Sequence, residues 1–173
     1  MQAIQSYIYE IGRRDTLFVL IGGGSAQDEM KTMAEELNLF PFVKFTGRVS
    51  DHDLCRYLST ADICLDPDPF TEWANQSTMN KIMEYMAFGK PIVAFDLKEN
   101  RVSAQEAAVY ANHNDTSEFA LNISGLLNDE VKRNRMKEIG QRRIRNELAW
   151  DFSKPNLLRA YRSLNSAGKI NQQ

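Results

Sequence analysis

The stretch "STMNKIMEYMAFGKPIVAFD", residues 77–96, joins two hydrophobic patterns of different period. Met79, Ile82, Met83 and Met86 recur at i, i+3, i+4 and i+7, the apolar stripe of a helix lying on a core. Gly89 and Pro91 then end that pattern, and residues 91–96, "PIVAFD", run apolar without alternation. A short unbroken apolar run between breakers reads as a strand covered on both faces. A helix delivered into such a strand is the repeating unit of a parallel α/β sheet. The helix also carries a polar stripe, Ser77, Lys81 and Glu84 at i, i+4 and i+7, with Ser77 read as its N-cap.

Working outward, the same alternation recurs. "TLFVLIGGG", residues 16–24, predicts a strand covered on both faces that turns at its glycines. "SAQDEMKTMAEELNL" predicts a helix capped by Ser25, with Met30, Met33, Ala34 and Leu37 on its buried side. A strand over 43–47, a helix over 51–61, a strand over 62–66 and a short strand over 107–111 complete the series. Strict alternation predicts a Rossmann-like, doubly wound parallel α/β sheet. Residues 66–76, "DPDPFTEWANQ", read as the long irregular loop. Ile4, Ile8 and Ile11 have helical spacing, and from Thr116 onward the chain reads as helical, its last two helices packing on the sheet's edge. Residues 1–166 form one domain on this reading, and 167–173 a flexible tail.

With 173 residues, 43% hydrophobic and 25% charged, the chain has the composition of a soluble domain with one core. The net charge of -2 argues against a nucleic-acid partner. Cys55 and Cys64 lack metal-ligand spacing and read as reduced, packed thiols, so no metal is expected. There is no apolar run of membrane-spanning length and no signal-peptide pattern, which predicts a cytoplasmic location and leaves room for peripheral contact with the membrane's inner face. The basic run over 132–145 has interleaved Glu138 and a Met136, Ile139, Arg143 spacing, the pattern of a solvated amphipathic helix.

In open α/β sheets, ligands collect outside the carboxyl ends of the strands. Three loops fall there: Gly22–Gly24, which includes Gly23 and Gly24, Gly47–Ser50, which includes Gly47, Arg48 and Val49, and the long loop leading through Gln76 to Ser77. In the helix beyond, orphan amides, the Ser77 hydroxyl and Lys81 suit phosphate, and the Glu84 carboxylate suits a ribose diol about 10 Å along the axis. Spacing alone leaves open the plainer reading, an i, i+3 pair of Lys81 and Glu84 on a solvated face. Asp66 and Asp68, each followed by proline, read as part of a rigid loop rather than a metal site, and His52 and His113 as non-catalytic. Trp73 and Trp150 read as structural. The glycine run lacks dinucleotide-binding spacing.

"FTGRV", "YLSTADI" and "KIMEYMAFGKPIVA", taken together, resemble the carboxyl-terminal, donor-binding half of GT-B fold retaining glycosyltransferases, family 4 (group 1). The resemblance implies transfer of a sugar from a UDP- or GDP-sugar to a glycan or lipid-linked acceptor, without a bound cofactor, in polysaccharide or surface-glycan assembly. It implies that Ser77, Thr78, Asn80 and Lys81 face the donor's diphosphate or sugar, that Glu84 holds the ribose, and that Gly47, Arg48 and Val49 border the base. Eight residues before Glu84, where many members carry an acid, stands Gln76. The family's first strand, loop and helix, and its acceptor domain, precede the point where this sequence begins, so the resemblance implies an incomplete enzyme, inactive alone. The alternatives are a nucleotide-binding or interaction module without turnover, and a nucleotide-sugar epimerase.

Overall fold

The computed structural model describes residues 1–167. Among these, α1 (Gln2–Gln5) continues as a π-helical turn (Ser6–Glu10) into β1 (Phe18–Ile21), α2 (Gln27–Glu36), β2 (Val43–Gly47), α3 (Asp51–Thr60) and β3 (Cys64–Asp66). There follow α4 (Glu72–Asn75), α5 (Asn80–Ala87), β4 (Ile92–Phe95), α6 (Lys98–Ala104) and β5 (Ala108–Ala111). The chain ends in α7 (Thr116–Asn128), α8 (Glu130–Arg143), a second π-helical turn (Ile144–Leu148) and α9 (Trp150–Ala167).

Residues 77–96 become helix and strand through a turn at Gly89. Its φ of +65° closes the end of α5, with the Gly89 N–H donating to Met86 O at 2.9 Å and the Lys90 N–H to Tyr85 O at 2.8 Å. This paired closure satisfies the last helical carbonyls and needs a residue that tolerates positive φ. A Cβ here would also stand 2.8 Å from Lys137 Cγ of α8. Pro91 follows and all four residues of β4 are buried. Side-chain caps start α3, α7 and α8: Ser50, Asp115 and Asp129 each accept the backbone N–H three residues on.

All strand pairings are parallel, as the alternation predicts. The hydrogen bonds divide the strands into two ladders, β1–β2 and β3–β4–β5. Alternate residues of β4 point to opposite faces and separate the core in two. Val93 and Phe95 pack with Tyr7 and Ile8 of the amino-terminal helix, Ala34 of α2, and Phe119 and Ile123 of α7. Ile92 and Ala94 pack with Ile82 and Met86 of α5 and with Ala104 at the end of α6. Helices thus cover both faces, the Rossmann-like doubly wound arrangement. The predicted stripe of α5 holds: Ile82 and Met86 are fully buried, with Met79 and Met83 packed beside them.

Several expectations are corrected. Ser77 does not cap α5: its hydroxyl donates to Trp73 O at 2.7 Å, ending α4, and α5 starts three residues later after Met79 without a side-chain cap. A serine that can bond back to its own backbone is free to choose a turn over a cap. Likewise α2 begins after Ala26, not Ser25. The loop before α5 contains α4, capped by Thr71, whose hydroxyl accepts from Ala74 N at 3.0 Å. The strand β1 is not covered on both faces, since Val19 and Ile21 are exposed. Nor does α9 pack on the sheet's edge: its side chains from Trp150 to Leu164 are all exposed. Cys55 is exposed where a packed thiol was expected, and both tryptophans lie outside the core. The expected tail lies outside the described residues except Ala167, which ends α9.

Candidate functional site

Because every strand is parallel, the loops after β1, β2, β3, β4 and β5 open at one edge. After β1, Gly22 adopts a φ of +128° and its N–H donates to Gly47 O at 2.9 Å. Gly23 approaches the Arg48 amide, so the structure brings the glycine loop and the Gly47–Arg48 turn together. Arg48 is exposed and Val49 half-buried beside them. Among the described residues, no hydrogen bond or ion pair ties this group to Ser77–Glu84.

The second group is built around the end of β3. Asp66 is fully buried and its Oδ1 lies 2.7 Å from Lys81 Nζ, an ion pair outside hydrogen-bond geometry. Lys81 Nζ also donates to Asp68 Oδ2 at 2.7 Å. Asn100 of α6, buried, donates through Nδ2 to Asp66 Oδ2 at 2.9 Å and to Phe95 O at 3.3 Å. Burial pushes the Asp66 carboxyl above the usual range, although Lys81 pulls the other way. Burial likewise pulls Lys81 down, but its two carboxylate partners outweigh it and hold the ammonium above the ordinary lysine value. The cluster locks the carboxyl end of β3 to the first turn of α5 and to α6. Breaking one member leaves charges stranded in a poorly solvated place.

Two bonds extend this lock to the segment before α5. Thr78 Oγ1 donates to Glu99 Oε2 at 2.8 Å, and Asn75 Oδ1 accepts the Lys98 N–H at 2.8 Å. Gln76, Asn80 and Glu84 are exposed, and the Glu84 carboxylate makes no hydrogen bond or ion pair among the described residues, so the plainer pairing with Lys81 is not formed. After β5, the His113 ring stacks on Phe70 with centroids 4.2 Å apart, and its Nε2 contacts Asp96 O at 2.5 Å. Phe70 N donates to Asn114 Oδ1 at 2.7 Å, pinning the proline loop over the ends of β4 and β5.

The sequence reading missed Asn100 and Glu99, and with them α6. The buried residues of α6 are Asn100, Ser103 and Ala104, two of the three polar, so it carries no apolar period. The partnership of Asp66 with Lys81 spans the whole loop and α4, beyond the reach of any helical or strand spacing. Among the described residues, no helix is long and apolar enough to cross a membrane.

The family described as "Glycosyl transferases group 1" matches residues 1–129. No curated protein matches the chain significantly. Solved structures do. A TarM variant from S. aureus, in complex with fondaparinux, alpha-GlcNAc-glycerol and UDP, superposes with a TM-score of 0.76 at 17% identity, covering 94% of this chain and 31% of that one. Sucrose-phosphate synthase from Thermosynechococcus elongatus gives 0.75 at 21% identity, covering 96% and 42%. HepE from Anabaena, in complex with UDP, gives 0.68 at 18% identity, covering 93% and 45%. At these identities the likeness is one of fold, and the chain spans less than half the length of each of these structures.

Proposed function

Since the chain belongs to the glycosyl transferases of group 1, we propose that it is the donor-binding region of an enzyme that transfers a sugar, with retention, from a UDP- or GDP-sugar to an acceptor hydroxyl. The acceptor is a glycan or lipid-linked glycan, bound by a further domain, in polysaccharide or surface-glycan assembly. The carrying observation is the helix α5: its buried stripe is fixed to the sheet, while Asn80 and Glu84 stand exposed on its other side and form no bond within the chain that would occupy them. Glu84 accepts the ribose hydroxyls, one turn from backbone amides at Thr78–Asn80 that receive the diphosphate. Gly23, Gly24, Gly47, Arg48 and Val49 form the opposite wall, for the base.

Lys81 has two carboxylate partners already, so its first task is to hold α5 against β3. Its charge reaches a phosphate only alongside those carboxylates, which leaves backbone amides as the principal phosphate donors. UDP complexes of TarM and HepE, on the same fold, support a uridine nucleotide as the first ligand to try.

Titration calorimetry with UDP and GDP tests the reading. Glu84→Gln is expected to weaken binding of the preferred nucleotide by about 1–3 kcal/mol, the value of a charge-assisted hydrogen bond. Equal affinity in the variant removes Glu84 from the site, and no binding of either nucleotide removes the site itself.

A further inference from the structure

The amino edge of the β3–β4–β5 ladder, opposite the candidate site, holds a cavity of about 190 Å³. Asp62 and Lys90, each two residues ahead of a strand, line it with Gly89 at the end of α5 and with Arg133, Asn134 and Lys137 of α8. The basic run that reads as a solvated face is therefore divided in space. Arg133 and Lys137, at i and i+4, share the side of α8 that meets the Gly89 turn, where a Cβ on Gly89 would stand 2.8 Å from Lys137 Cγ. Arg142, nine residues beyond Arg133 and about two and a half turns on, is exposed on the far side.

Two of the cavity's three cations are held in place by helix ends. Lys90 Nζ donates to Ser59 O and Ala61 O at the end of α3, both at 2.8 Å. Arg133 Nη1 donates to Leu126 O at 2.8 Å and Leu127 O at 2.5 Å, near the end of α7. Both side chains are half-buried, so they are fixed donors rather than loose surface charges. One N–H of Lys90 is left over, as are Nε and Nη2 of Arg133, a fork that suits two oxygens of one anion. Lys137 Nζ makes no hydrogen bond, and among the described residues none of the three cations has an ion-pair partner. Asp62 is the one carboxylate in the lining, and it is exposed. With Asp62 counted as one negative charge and the ends of α3, α5 and α7 as about half each, the three cations still leave a positive surplus.

We propose that this cavity is a second binding site, for a phosphate group, at the edge of the sheet away from the candidate donor site. Arg133 takes two of the phosphate oxygens, Lys90 and Lys137 supply the remaining charge, and the Asn134 amide donates at the rim. The helix α5 runs from Asn80 at one site to the Gly89 turn at the other, so one rigid element borders both. The assignment stands on the cavity and its uncommitted donors, and does not rest on the glycosyl-transfer reading.

NMR of the 173-residue chain with inorganic phosphate, at constant ionic strength, and flotation with vesicles of phosphatidylglycerol or of phosphatidylcholine test it. Up to about 20 mM phosphate is expected to move the Gly89, Lys90 and Asn134 amides saturably. Lys137→Gln, which strips neither helix end of its partner, is expected to weaken that binding about 5-fold or more, and Arg142→Gln less than about 2-fold. Flotation with phosphatidylglycerol and not phosphatidylcholine, lost in Lys137→Gln and kept in Arg142→Gln, assigns the phosphate to a lipid headgroup. Binding of inorganic phosphate without flotation assigns it to a free ligand. Binding of neither probe overturns the proposal, and so does equal weakening by the two substitutions, which would reduce the site to diffuse charge on α8. A nucleotide held through Glu84 keeps its affinity in Lys137→Gln, so failure here and failure of the donor site are read separately.

Discussion

The strands β1 and β4 make an instructive pair. Each has four residues, FVLI and IVAF, each is apolar throughout, and each lies in a parallel ladder. In β4 every residue is buried, while in β1 Phe18 is buried and Val19 and Ile21 are exposed. The difference is not in the residues. The strand β4 has a bonded neighbour on each edge and helices against both faces, whereas β1 has one neighbour and cover on one face. Apolar content selects a strand, and neighbours decide what the strand is worth.

The largest expected contrast comes from deletion in the covered strand. Phe95→Ala removes a ring packed 4.8 Å from Phe119, and is expected to cost about 3–5 kcal/mol in urea unfolding. Val19→Ala in β1 should cost under about 1 kcal/mol by the same measurement, because 37% of its surface is already in water. Similar losses for the two would erase the distinction between the strands. Intermediate in size is Gly89→Ala, at the turn that delivers α5 into β4. Its positive φ and the contact with Lys137 should cost about 1–2 kcal/mol. A neutral result would mean that the turn can reshape without disturbing the strand.

The finest probe is chemical. Cys64 in β3 is buried, and burial pushes its thiol up to about 12, whereas Cys55 on α3 is exposed. A group raised in the folded state contributes its stability below its unfolded value and loses it as pH climbs through the folded one. Cys64 therefore stays a neutral thiol across pH 7–9 and resists alkylation, while Cys55 reacts. Equal labelling of both at pH 8, read by mass spectrometry, would show that the edge of β3 opens readily.

Much of this was legible in the residues. The Gly-Lys-Pro break, the methionine stripe and the five apolar runs identified α5, β4 and the parallel alternation, because helix and strand periods and the conformational demands of glycine and proline act locally. Caps were less legible. Ser50, Asp115 and Asp129 cap their helices, while Ser77 and Ser25 do not, since a short polar side chain can satisfy a nearby backbone group in more than one way. The helix α6 escaped notice because hydrogen bonding, not apolar contact, buries its Asn100. In the candidate site, Glu84 stood out by its spacing from the apolar stripe, but the lock among Asp66, Asp68, Lys81 and Asn100 did not, because its members come from β3, a loop, α5 and α6.

By itself the sequence determined the five strands, the longer helices between them, their order and their parallel sense, together with the family to which they belong. These follow from short-range periodicity and from breakers whose backbone preferences hold in any context. Only the tertiary structure decided which apolar strand is covered, that Lys81 spends its charge on two carboxylates of its own chain, and that the sheet divides between β1 and β3. Each of those depends on groups distant in sequence meeting in space, where burial, pairing and handedness operate and local pattern has no hold.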